Sequence, residues 1–155
     1  MADTIREKIV KNLKTTLEGI TTANGYNNEV GSVQRWDKRG NETAQQNITI
    51  VIYPGPETKL PQPNPLFSCR LPLMLEVWVI QDEDDTLSTD ERLNSILGDI
   101  EKALMVDIKR GGNAEDTDIN GNEQFLTIEG QPNAGLTVDI EVKYRHKQTD
   151  PEQIG

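Results

Sequence analysis

A single cysteine, Cys69, and a single histidine, His146, stand in 155 residues. One thiol excludes an internal disulfide and points to a reducing compartment. One imidazole, with no G-x-S-x-G, no P-loop and no G-x-G-x-x-G, leaves nucleophilic and nucleotide-binding chemistry without a motif. Aromatic residues are only 5% of the chain, too few for a platform that stacks nucleic-acid bases. No stretch approaches eighteen consecutive apolar residues, and the opening MADTIREK is charged and lacks an apolar core. Neither a membrane span nor a standard secretion signal is therefore expected. Basic residues are also short: 16 against 26 acidic ones, a net charge of −10, which argues against a nucleic-acid backbone as primary ligand.

What is present reads as one domain, 1–155, of a size that buries a core without disulfide or metal staples. The acidic excess is local. Residues 82–129 hold 14 acids and 4 bases, whereas the first 47 residues carry 7 bases and 6 acids. The densest run is Asp82, Glu83, Asp84 and Asp85. It reads either as a solvated loop that aids solubility or as a patch that repels a polyanion or docks a basic partner.

Two segments have helical period. Ile5, Ile9, Val10, Leu13 and Leu17 form one apolar stripe, opened by a Thr4/Glu7 capping box, with Gly19 placed for a left-handed C-terminal residue. Leu93, Ile96, Leu97, Ile100 and Leu104 form a second stripe, opened by Ser88/Glu91, with Lys109, Arg110, Gly111 and Gly112 at or beyond its end. Strands are expected at 29–36, where Gly31 marks a bulge or edge, at the β-branched 47–53, and at 69–80, 122–129 and 136–145. The last two are joined by the turn 130–135 and should pair as an antiparallel hairpin. Five of the eight prolines fall in 54–68. Proline has no backbone donor, so this segment is expected to be an extended arm or a long hairpin tip that packs on a neighbour. The fold expected is α+β: a mainly antiparallel sheet of four to five strands, two helices on one face, and a long proline-rich arm.

Candidate chemistry is sparse. His146 sits between Arg145 and Lys147 and reads as surface; Cys69 opens an apolar strand and reads as a buried small hydrophobe. Asp116-Thr117-Asp118-Ile119-Asn120-Gly121 begins like an EF-hand loop, but its twelfth position, where calcium needs a bidentate glutamate, is Thr127. No catalytic residue, metal or cofactor is expected. Interface potential lies in Trp36, Trp78 and the arm residues Pro61, Pro63, Pro65, Leu66 and Phe67.

The layout resembles the tail terminator, or tail completion, proteins of tailed bacteriophages. The resemblance rests on the opening amphipathic helix, Gly25 and Tyr26 at its exit, and Val33 to Trp36 (V-x-R-W). It continues in the central L-x-L-x-V-W-V strand, in Asp99 to Leu104 (D-I-E-K-A-L), and in Val142 to His146 followed by Asp150 and Pro151. It covers roughly residues 3–151. It implies a non-enzymatic virion protein, in the tail or neck and in the host cytoplasm during assembly. Such a protein forms a ring, commonly a hexamer, capping the head-proximal end of the tail tube. Its partners would be other copies of itself, the tail tube protein and the head–tail connector, with DNA passing through unbound and no membrane involved. An acidic lumen lining, with Asp82 to Asp85 as candidates, would suit that passage. The alternatives are a head–tail connector or minor capsid protein and, from another class, a small cytosolic hydrolase or calcium-binding module.

Overall fold

The structure, a computed structural model, describes residues 2–36, 47–80, 86–126 and 133–155. The chain runs α1 (Ile5–Glu18), a short 3₁₀ turn (Thr22–Asn24), β1 (Ser32–Arg35), β2 (Ile48–Pro54), β3 (Thr58–Gln62), β4 (Leu66–Ile80), α2 (Thr89–Val106), β5 (Asp116–Leu126) and β6 (Asn133–Lys147). The strands form one sheet in the order β1-β2-β4-β6-β5, with β3 laid beside the first part of β4.

The sheet is α+β in class but has six strands rather than four to five, and it is mixed. β1 runs parallel to β2 and every other pairing is antiparallel. Which strands pair in parallel is a relation between separate segments that local periodicity does not encode.

One side of the sheet holds the core. Leu71, Leu73, Leu75 and Val77 of β4 face Val142, Ile140, Val138 and Leu136 of β6 in register, and β2 adds Ile50 and Ile52. The stripes of both helices, Ile5 to Leu17 and Leu93 to Leu104, join this same cluster, so both helices cover one face. The other face is charged and half-open over β4 and β6, but Thr49 and Val51 of β2 are buried there too. That explains why β2 is β-branched from Ile48 to Ile52 rather than apolar only at alternate positions.

Both helix starts are as the capping boxes require. Thr4 Oγ1 accepts from Glu7 N at 3.1 Å and Ser88 Oγ from Glu91 N at 3.3 Å. The helix ends differ from each other. Gly19 is not left-handed (φ −77°), because the chain continues in a tight turn that inserts Ile20 into the core; the left-handed glycine is Gly25 (φ 91°). After α2, Arg110 (φ 47°), Gly111 and Gly112 are all left-handed, and the wholly buried Arg110 guanidinium caps the carbonyls of Leu104 and Asp107. Burial pushes that guanidinium's pKa down. Asp99, also buried, accepts from the backbone N–H of Asn27 and of Asn28, and Lys102 Nζ donates to Gly25 O at 3.1 Å above the Tyr26 ring. The loop after α1 is thereby fastened to α2.

The proline-rich segment is a hairpin, not a free arm. β3 pairs with β4 from Thr58↔Arg70 to Gln62↔Leu66, and Pro61 is tolerated because β3 is an edge strand. The tail secures the tip, where Gln148 donates from its backbone N to Pro65 O at 2.9 Å and from Nε2 to Leu66 O at 3.0 Å. The expectation that this segment packs only on a neighbour is therefore corrected. It is the sixth strand of the chain's own sheet, though Leu60 remains 63% exposed.

Candidate functional site

The residues with interface potential do not form one patch. Pro61 and Phe67 are register partners in the β3–β4 hairpin, with Pro63 and Pro65 exposed at its turn and Leu66 opening β4. Phe67 turns inward, packing on the core and on the His146 ring at 5.5 Å. Trp78 lies near the other end of β4 on the open face, edge-on to Phe125 at 5.0 Å, with its indole N–H donating to Glu76. Trp36 follows β1 and is 56% exposed, lining a small cleft with Arg6, Glu7, Arg35 and Leu73. Asp82, Glu83, Asp84 and Asp85 fall outside the described residues.

The EF-hand-like stretch is not a loop. Residues 116–121 belong to β5, with a bulge at Asn120, and Asp118 is engaged by Lys143 at 3.0 Å. Thr127 lies outside the described residues. Strand geometry sends Asp116 and Asp118 to one face instead of wrapping them around a cation.

One cluster has no counterpart in the sequence reading. Lys59, Cys69 and Tyr144 are neighbours across three strands, and Pro61, Phe67 and His146 form the next row. Glu57, just ahead of β3, lies on the same face. Its carboxylate accepts from the Tyr144 hydroxyl at 2.7 Å, from Arg6 Nη1 at 3.3 Å, and pairs with Lys59 Nζ at 3.3 Å. His146, expected on the surface, is buried. Its Nδ1 lies 2.7 Å from Lys147 O and its Nε2 2.6 Å from Lys59 Nζ. A ring that donates from Nδ1 to the carbonyl accepts from the ammonium at Nε2, so both nitrogens are used. The correction has a simple cause: even-numbered positions of β6 face the core, and 146 is even. A shallow cleft of about 210 Å³ opens here, lined by Thr4, Arg6, Glu57, Lys59, Tyr144, His146 and Pro151. The available signal was two i, i+2 pairs, Glu57/Lys59 and Tyr144/His146, but only the register about β4 joins them.

The cluster suppresses reactivity. Desolvation, then the hydrogen bond to Glu57, pushes the Tyr144 hydroxyl far above its ordinary 10.0. Desolvation likewise raises the Cys69 thiol, buried as expected, above 9.0. Both folded-state values are raised, so their contributions to stability are intact below about pH 9 and decline as the unfolded chain ionises above it. Stability should fall above pH 10 by up to about 1.4 kcal/mol per pH unit for each such proton. Urea unfolding of Tyr144→Phe across pH 8–11 should show a shallower slope than wild type; an unchanged slope refutes the assignment.

A third feature lies at the sheet's end. Between α1 and β1 runs a groove of about 320 Å³ lined by Val10, Lys11, Lys14, Val33, Gln34 and Arg35. The Arg35 guanidinium is held there by both carboxylate oxygens of Glu7. No protein-family model matches the chain, and a search of curated proteins finds no similar sequence.

Proposed function

We propose that the chain is a structural virion protein, a tail terminator. It forms a ring, six copies being favoured, that caps the head-proximal end of a phage tail tube. There it ends tube polymerisation and presents the surface to which the head–tail connector joins. The observation that carries this reading is the sheet, beyond whose β1 and β5 edges no further strand lies among the described residues, with the exposed Trp36 beside the first edge. Edge strands and an exposed aromatic are association surfaces, and two different edges on one subunit suit the heterologous contact from which rings are built. The segments carrying the resemblance also meet in space, Gly25 and Tyr26 against Lys102. A non-enzymatic role agrees with a buried Cys69 and with a His146 whose two nitrogens are both engaged. In this reading DNA passes the ring unbound, the ring assembles in the host cytoplasm, and no cofactor is used.

Electron microscopy of the protein mixed with isolated tail tubes tests the proposal. The expected image is a single ring at one tube end, with tube growth halted. Decoration along the tube wall, or no binding by folded protein, overturns it. Binding to portal or capsid in place of the tube makes it a connector or minor capsid protein.

A further inference from the structure

The sheet ends in two unlike edges. At one lies β1, with the groove whose floor includes Val10 and Val33 and whose rim carries Lys11 and Lys14. At the other lies β5, with α2 beside it on the core face of the sheet, where Gln124 Nε2 donates to Asn94 Oδ1 at 2.8 Å. Positions seven and eleven residues beyond Asn94 share its side of the helix, which brings Glu101 and Met105 to this flank. Met105 is 43% exposed, whereas Glu123, paired with Thr137, faces the open side of the sheet and is no part of this flank. Among the described residues no strand lies beyond either edge. One edge is thus basic with an apolar floor, and the other is acidic with an exposed apolar side chain.

Strand direction adds an independent constraint. Along the path β1-β2-β4-β6-β5 the strands run up, up, down, up, down. Rotation about an axis parallel to the strands preserves those directions. The β5 of a rotated copy therefore meets β1 antiparallel, the pairing with the better hydrogen-bond geometry. The single parallel pair in the sheet is what makes this so. Had β1 run antiparallel to β2, the two free edges would point the same way. The β5 bulge falls at Asn120, leaving residues 121–126 regular, enough to match the four residues of β1.

From these observations we infer that the β1 edge and its α1 groove are the docking site for the β5–α2 edge of a second copy of this chain. The contact continues the sheet from subunit to subunit. It deepens the ring reading above and rests on it for closure. Lys11 and Lys14 pair with Asp3 and Glu18 within the chain, but these are exposed pairs, and exchanging such partners costs little. Charge across the edge sets partner and register, while the short strand pairing and the groove supply the contact.

The test uses two charge-reversed chains without tail tubes, followed by sedimentation across a concentration series. Lys11→Glu/Lys14→Glu leaves both edges acidic; Glu101→Lys leaves both basic. Each alone should associate about tenfold or more weakly than wild type, with an unchanged unfolding midpoint. Mixed one to one, they should recover assembly, because the acidic β1 edge of one variant complements the basic α2 edge of the other, while their two intact edges pair as in wild type. Lys11→Gln/Lys14→Gln serves if the reversed chain is unstable, with a smaller loss expected. Self-association of both variants at the wild-type level, or a mixture that stays monomeric, overturns the inference. Rings on tubes that survive both reversals would leave the terminator reading standing and remove this interface. Recovery in the mixture without tube capping would do the reverse.

Discussion

Glu57→Ala should lower the unfolding free energy by about 2–4 kcal/mol, although the residue lies in a segment whose composition reads as a loop. The carboxylate is nearly buried and answers three partners: the Tyr144 hydroxyl, Arg6 and Lys59. Without it the Tyr144 hydroxyl remains in a desolvated site with its acceptor gone, and Lys59 keeps the His146 ring nitrogen and the Phe67 ring but no carboxylate from Glu57. Arg6 and Lys59 are about two-fifths exposed and recover water, which keeps the loss below that of a fully buried ion pair. For a chain of this size each kcal/mol moves the thermal midpoint by roughly 2–4 °C. Leu60→Ala, a few residues on and exposed, should leave the unfolding free energy within about 0.5 kcal/mol of wild type. Equal effects at the two positions would show that the hairpin root is not clamped. If the hairpin also serves assembly, Leu60→Ala should reduce association while stability is untouched.

Gly135→Ala should cost at least about 2 kcal/mol. A Cβ at this position would lie 2.4 Å from Phe125 Cζ and 2.6 Å from the Val77 carbonyl oxygen. The ring of Phe125 can move, with loss of its edge-on contact to Trp78, but the carbonyl belongs to the central strand. Adding Phe125→Ala should therefore rescue only part of the loss, and chemical denaturation of the double variant measures how much. Full rescue would mean that β4 yields and that the ring alone excludes the methyl group. The sequence places Gly135 in a turn between two strands. The structure places it inside β6, where absence of a side chain lets Phe125 lie across the sheet.

The misreadings share a physical origin. Periodicity reports which face of an element is apolar, and so it located α1, α2, β2 and β4 to within a few residues. It does not report what lies beside the element. The 54–68 segment was legible as proline-rich and unable to be a central strand. Its pairing with β4 depends on an edge being vacant at residues 66–70, which no local pattern reveals. His146 was misread for a related reason: two charged neighbours, Arg145 and Lys147, made the local composition look wet. β6 nevertheless continues its alternation and carries 146 to the core side. Residues 116–121 looked like a cation loop because aspartate, asparagine and glycine serve turns and strand bulges alike.

By itself the sequence determined the α+β class, both helices with their N-terminal caps, the buried Cys69 and the apolar faces of β4 and β6. Each of these follows from side chains a few residues apart, where helical or strand geometry alone sets the neighbours. The tertiary structure alone decided the strand order and the parallel β1–β2 pair. It also joined Glu57 and Lys59 to Tyr144 and His146 across 87 positions, and left two edges of unlike charge at opposite ends of one sheet. These are relations between distant segments. They are set by which strands pair once both helices cover one face, and the free energy that selects them belongs to the assembled core rather than to any one stretch of chain.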